Sequence, residues 1–272
     1  MSLVINTNVA SLNAQRSLAA SGAELKTAME RLSSGKKINS AADDAAGFAI
    51  AERMTAQIRG LNMATKNAND GLSMLATIEN ATNDVTDMLH RMRELAVQAV
   101  NDTNSSTDRG YLNSEATSLI AEINRVASDT EYNGAAVLNG DLASGEFQVG
   151  TNQGQTVAFS IDAVTASALS INAVSLATAS GAESALAAIS TAIETVAADR
   201  ANYGALQNRL EYTVSNLMNV AEFTTAARSR IEDADFAAES ARLAKAQVLQ
   251  QTGTAMLAQA NASQQLVLSL FR

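Results

Sequence analysis

The sequence predicts a mainly α fold, with long coiled-coil-like helices forming an elongated rod and a small β-hairpin region. Three observations predict it. No proline occurs in 272 residues, so helices run without that interruption. Residues are 47 % hydrophobic but only 4 % aromatic. Much of the apolar share is alanine, which suits close helix–helix contact and buries less area than leucine or phenylalanine. Apolar residues also recur in alternating steps of three and four over stretches too long for an ordinary globular helix.

The first helix reads from Val4 to Leu32. Its apolar positions are Val9, Leu12, Leu18, Leu25, Met29 and Leu32, and Asn6, Asn8 and Asn13 weaken it. Ser33-Ser34-Gly35 predicts its end, since glycine accepts the positive φ of a helix C-cap. After Lys36-Lys37-Ile38-Asn39, Ser40 and Asp43 have capping-box spacing, with Asp43 and Asp44 in the first turn of the next helix.

That second helix is expected from about Ala42 to Ala99. Stepping by threes and fours from Leu61 gives Ala64, Ala68, Gly71, Leu75, Ile78, Thr82, Val85, Leu89, Met92, Ala96 and Ala99 as its seam. Asn67, Asn69, Asp70 and Gly71 read as a bend or weak point. Residues 101–108 are a break, followed by a helix from about Thr107 to Asp129.

Asn133-Gly134 and Asn139-Gly140 read as turns. Alternation at Phe147 and Val149, a turn over 150–154, then Val157, Phe159 and Ile161 predict a hairpin near 138–162. Residues 163–182 read as linker or a weak extra strand. Ser180 with Glu183 is a second capping-box signature, opening a helix to about Arg230. Its seam, stepped from Ile193 through Val196, Arg200, Tyr203, Gln207, Leu210, Val214, Leu217, Ala221, Thr224 and Arg228 to Ile231, fits less well. A last helix runs from Phe236 to Leu270 and ends in the apolar tail Leu266–Phe271, which wants a partner.

Charge follows the same layout. Residues 1–42 hold five Lys/Arg against two acidic residues, and 235–272 hold three against two, while 43–234 hold 11 against 24. Nearly neutral ends suit burial in an assembly, and the acidic middle suits water. No basic stripe marks a nucleic-acid partner, and no segment reads as a membrane span or a cleaved secretory signal. The absence of cysteine excludes disulfides and thiol chemistry.

Nothing in the sequence points to an enzyme, a cofactor or a metal. His90 is the only histidine and reads as a solvated helix position. Asp43/Asp44 and Asp233/Asp235 lie where helix capping accounts for them. Ser33-Ser34-Gly35-Lys36-Lys37 lacks the strand and glycine spacing of a phosphate loop. The run Arg91-Met92-Arg93-Glu94-Leu95, with Met88, reads as a charged patch beside an apolar strip, a candidate protein-binding face.

Several ordered motifs resemble bacterial flagellin along nearly the whole chain. They are Ile5-Asn6-Thr7-Asn8, the run from Arg31-Leu32-Ser33-Ser34-Gly35 to Asp43-Asp44-Ala45-Ala46-Gly47, Asn67–Gly71 and Arg93–Gln98. Ala227–Asp233, Gln250–Gly253, Leu257–Asn261 and the terminal Leu268–Arg272 continue the pattern. The resemblance implies a subunit that polymerises into the flagellar filament for motility. Residues 1–42 and 235–272 would form an inner helical domain, and 43–234 an outer-tube domain with almost no variable insert. Leu12, Leu25, Leu32, Leu257, Leu266 and Leu270 are the implied self-assembly residues.

The family resemblance also implies type III export without a cleaved signal peptide and an extracellular location in the flagellum. Partners would be copies of the chain, an export chaperone, and cap and hook-junction proteins. Arg91, Leu95 and Glu115 match the family's recognition surface for the vertebrate flagellin-sensing Toll-like receptor. Ser105, Ser106, Thr165 and Ser167 are candidate O-glycosylation positions. The competing reading is a hook–filament junction protein or a surface adhesin of the same family.

Overall fold

The computed structural model describes residues 7–270, with side chains as far as Ser263. Over these residues the order is α1 (Val9–Ser34), α2 (Ala45–Val100), α3 (Ser106–Asp129), β1 (Glu131–Tyr132), β2 (Ala135–Ala136), β3 (Ser144–Gln148), β4 (Thr156–Ser160), α4 (Ala179–Glu232) and α5 (Phe236–Leu270). The chain divides into two compact units. One holds residues up to Ile58 and from Glu222, and the other runs from Arg59 to Ala221.

In the unit spanning 59–221, α2 carries the seam. All twelve stepped positions from Leu61 to Ala99 are buried, and eight of them, from Leu75 onward together with Ala68 and excepting Thr82, are fully enclosed apolar residues of one cluster. Thr82 is tolerated there because its hydroxyl donates to the Ile78 carbonyl at 2.9 Å. α4 runs antiparallel to α2. Leu61 and Ala64 share a small cluster with Leu217, and Gln207 donates to Glu79 at 3.0 Å.

The seam of α4 departs from the predicted stepping in its first half. Ala182, Ala185, Ile189, Ala192, Val196, Asp199 and Tyr203 are the buried positions, so Ala192 and Asp199 take the places assigned to Ile193 and Arg200. Alanine on either side makes two neighbouring registers nearly equal in the sequence. The common positions Val196, Tyr203, Leu210 and Leu217 hold.

The expected bend at Asn67–Gly71 does not occur, and α2 runs through it. These residues instead receive the β3–β4 hairpin. Asn67 donates to the Gln148 carbonyl at 3.1 Å, and a Cβ at Gly71 would stand 3.0 Å from the Phe147 ring. Phe147 in turn stacks on Phe159, with ring centroids 4.4 Å apart. β3 and β4 pair antiparallel, from Ser144 opposite Ser160 to Gln148 opposite Thr156. β1 and β2 close on Asn133-Gly134, whose φ values of 52° and 79° are those a tight hairpin turn requires. The Tyr132 hydroxyl donates to the Asp70 carbonyl of α2 at 3.1 Å.

Residues 163–178 are neither a loose linker nor a strand. Val164, Ala166, Leu169, Ile171 and Leu176 are buried in the main core. Two α3 asparagines hold the backbone: Asn124 accepts from the Ala166 N–H at 2.9 Å and Asn113 from the Leu176 N–H at 2.7 Å. Side chains 42 and 63 residues away supply the order that local periodicity lacks.

Two helix caps also differ from expectation. Asp44 caps α2, accepting from the Ala46 and Gly47 N–H groups, while Asp43 closes a turn by accepting from the Asn39 and Ser40 N–H groups. Those backbone donors hold the Asp43 carboxyl below its ordinary pKa. Thr178, not Ser180, caps α4 through the Gly181 N–H. Ser105 and Asp108 form the capping box of α3.

Candidate assembly interface

The unit containing both chain ends is built on α1 and α5. Along α1 the inward positions Ser11, Ala14, Leu18, Ser21, Leu25, Ala28 and Leu32 alternate by threes and fours. On α5, Glu239, Ala246, Gly253 and Ala260 recur every seven residues, with Leu243 and Leu257 between them. Small side chains let the helices come close: a Cβ at Gly253 would lie 3.4 Å from a Leu18 methyl. The run is antiparallel. Asn8 caps α1, accepting from the Ser11 N–H at 3.0 Å, and its amide donates to the Ala260 carbonyl at 3.0 Å. Asn8 is thus the start of the helix and not a weakness within it.

At the other end, Gly35 terminates α1 with φ 72° and its N–H donates to Arg31. The two connecting turns then pair. The Ala234 N–H donates to the Gly35 carbonyl at 2.9 Å, the Lys37 N–H to the Glu232 carbonyl at 2.6 Å, and Lys36 forms an ion pair with Glu232. Asp235 accepts from the Ala237 and Ala238 N–H groups and so starts α5. Glu239 is 5 % exposed and lies between Arg31 at 3.9 Å and Arg242 at 3.3 Å. Arg228 reaches from α4 to the Thr55 hydroxyl of α2 at 3.1 Å, which accounts for an arginine on a seam.

The outer faces of α1 and α5 are unusually apolar. Among the described residues, Val9, Leu12, Met29, Phe236, Val248, Leu249 and Met256 are each more than 40 % exposed. A groove of about 590 Å³ runs beside them, lined by small residues such as Ala10, Ala14, Ser17 and Gly253. Burying what remains exposed of these seven side chains is worth roughly 6–12 kcal/mol, which a second protein surface can supply and an isolated chain leaves unused. Of the predicted assembly leucines, Leu12 is exposed, and Leu25, Leu32 and Leu257 are half-buried along the α1–α5 seam. The side chains of Leu266 and Leu270 lie outside the described residues, as do Ile5, Asn6, Phe271 and Arg272.

The patch around Arg91 belongs to the other unit. Arg91 Nε donates to Glu115 Oε1 of α3 at 2.8 Å, and the same guanidinium reaches Glu94 at 3.0 Å. Hydrogen bonding to Glu115, then to Glu94, raises the Arg91 pKa further. Both Arg91 and Glu115 are exposed, and His90, Arg93, Glu94 and Val97 line a shallow depression on the same helix. Leu95 stands apart from them at 1 % exposure. With Met92 it faces the core, so the apolar strip read as a binding face is an interior face.

Two acidic residues that the sequence reading passed over meet beside the hairpin. Asp199 on α4 is 8 % exposed, and its carboxyl faces that of Asp162 just beyond β4 within hydrogen-bonding reach. Burial, then the Asp162 charge, pushes Asp199 up to about 6. Burial likewise raises the Tyr203 phenol to about 12. Neither pair spacing nor helix periodicity signals this contact, because it joins residues 37 positions apart.

Comparison with known proteins agrees with this arrangement. A family model described as the bacterial flagellin N-terminal helical region matches residues 5–143, and one described as the C-terminal helical region matches 186–271. The hairpin β3–β4 and the loop to α4 fall between the two. A flagellin of Halalkalibacterium halodurans is 42 % identical over 99 % of this chain and all of its own length. The flagellar filament 33 kDa core protein of Treponema phagedenis is 43 % identical, covering 99 % of this chain and 100 % of itself. The crystal structure of Bacillus cereus flagellin aligns with 56 % of this chain and 88 % of its own, with a TM-score of 0.50 and 29 % identity. On the matched regions at both ends and the full-length relatives, this chain belongs to the bacterial flagellin family.

Proposed function

We infer that the chain is a structural subunit that polymerises into the bacterial flagellar filament and has no catalytic role. The observation that carries this is the α1–α5 unit, whose two helices pair through small residues yet leave seven large apolar side chains exposed. A helical homopolymer supplies many copies of the complementary surface, and each contact repeats along the assembly. In this reading residues 1–42 and 235–272 form the inner domain, and 43–234 the outer tube. Leu12 makes contacts between copies, while Leu25, Leu32 and Leu257 set the α1–α5 pairing that presents them. Leu266 and Leu270 complete the set of assembly residues that the family resemblance implies.

The subunit would reach the cell exterior by type III export with a chaperone, and assemble beneath a cap protein onto hook-junction proteins. A vertebrate Toll-like receptor would read the exposed Arg91–Glu115 pair, with Leu95 holding α2 and α3 in place beneath it. Polymerisation of the purified chain, seeded with filament fragments and viewed by electron microscopy, tests the reading. Filaments from the intact chain and none from a chain lacking residues 235–272 support it. An intact chain that stays monomeric when seeded contradicts it.

A further inference from the structure

Peroxide has few targets on this chain. With no cysteine and no tryptophan, the nine methionine thioethers are the side chains it oxidises readily. Burial ranks them. Met92 and Met74 are enclosed in the core, and Met54 and Met88 are half-buried. Met29, Met63, Met218 and Met256 are open to solvent, and Met256, at 64 %, is the most exposed methionine among the described residues.

Met256 also stands on the candidate assembly face. Leu249, Thr252 and Met256 are spaced i, i+3 and i+7 on α5, so one side of the helix presents them to the groove beside α1. From α1 that groove receives Ala10, Ala14 and Ser17. Beside such short side chains the thioether is a projecting, adaptable apolar group, suited to fit whatever surface closes the groove. Met29 belongs to the same unit but lies outside the groove.

We propose, on the reading that copies of the chain assemble through this face, that Met256 is a reversible oxidation site whose sulfoxide blocks assembly. A sulfur lone pair attacks one oxygen of hydrogen peroxide. The S–O bond forms as the O–O bond breaks, and the second oxygen takes the proton of the first and leaves as water. Sulfur gives up two electrons and peroxide is reduced. A polar, chiral sulfoxide then stands in place of an apolar thioether. Buried between copies, its oxygen loses hydrogen bonds to water that a wall of alanine cannot return. A methionine sulfoxide reductase reverses the change, oxidising a dithiol to a disulfide and releasing the oxygen as water. The free subunit is the vulnerable form, because a closed groove shields the sulfur.

The test treats the full-length monomer with hydrogen peroxide, stops the reaction with catalase and locates sulfoxides by peptide mass spectrometry. The critical concentration for seeded polymerisation is then measured. M256L is the comparison, since leucine keeps the volume and removes the sulfur. Met256 should oxidise before Met74 and Met92, with the circular dichroism spectrum unchanged. The critical concentration of the oxidised parent should rise at least about tenfold over the untreated one. Treatment with the two reductases, one for each sulfoxide epimer, together with dithiothreitol should restore it. Oxidised M256L should stay within about twofold of untreated M256L. A parent fully oxidised at Met256 that assembles like the untreated chain overturns the proposal. So does an equal loss of assembly in oxidised M256L, which would assign the effect to Met29 or another methionine. An untreated parent that forms no filaments when seeded overturns the filament reading itself, and the proposal with it.

Discussion

The ring of Phe147 occupies the space that a side chain at Gly71 would need. A Cβ on Gly71 would lie 3.0 Å from two atoms of that ring, and Phe159 stacked behind it limits retreat. Glycine in mid-helix costs up to about 1 kcal/mol relative to alanine, so its use here marks a close approach and not a hinge.

Substitution at this position separates the two readings. G71A trades helix propensity against a tight contact and should change stability by less than about 1 kcal/mol. G71L cannot be accommodated and should cost roughly 2 kcal/mol or more by chemical denaturation. The double variant G71L/F147A should recover part of that loss, since the clash partner is gone. Equal stability of G71L and the parent contradicts the docking of the hairpin on α2.

The Asp162–Asp199 contact sets a pH dependence. Asp199 titrates at about 6, above the ordinary 3.8, so the folded chain holds that proton more tightly than the unfolded chain does. The charged carboxylate therefore destabilises the fold. The penalty is absent below about pH 4, grows between 4 and 6, and is complete above 6. D199N should gain roughly 1–3 kcal/mol at pH 8 and nothing at pH 3.5. Equal effects at both pH values contradict this.

Arg91 and Leu95 should separate surface recognition from stability. R91A removes exposed ion pairs to Glu115 and Glu94, so its thermal midpoint should stay close to the parent's while receptor signalling falls. L95A empties a core position that is 1 % exposed and should cost about 2–5 kcal/mol. Denaturation curves alongside a cell-based receptor assay read both. An L95A chain as stable as the parent would remove Leu95 from its supporting role.

Helix starts test how far capping signatures can be read. T178A should cost about 1 kcal/mol, because Thr178 accepts from the Gly181 N–H at the start of α4. S180A should stay within about 0.5 kcal/mol, as Ser180 lies inside the helix. The reverse order in urea unfolding contradicts the assigned cap.

These positions also mark where the sequence was legible. The α2 seam could be read residue by residue because Leu75, Ile78, Val85 and Leu89 differ sharply from their polar neighbours. On α4, alanine flanks the seam, and the choice between Ala192 and Ile193 rests on tertiary contacts. Cap residues stand two to four positions from the expected ones where several Ser, Thr or Asp occur together, as at 40–44 and 178–180. The packed loop after β4 carried no period, since Asn113 and Asn124 of α3 hold it from outside. At the candidate interface, flagellin motifs identified the helices, but exposure decided the roles. Leu12 faces outward, whereas Leu95 faces inward.

The most direct test of assembly through the outer faces of α1 and α5 is seeded polymerisation of V248E/M256E beside the parent chain, viewed by electron microscopy. Val248 and Met256 are 58 % and 64 % exposed, so the monomer should keep its circular dichroism spectrum. Assembly through these faces predicts filaments from the parent and none from the folded double variant at the same concentration. Filaments of normal length and yield from the double variant would contradict it.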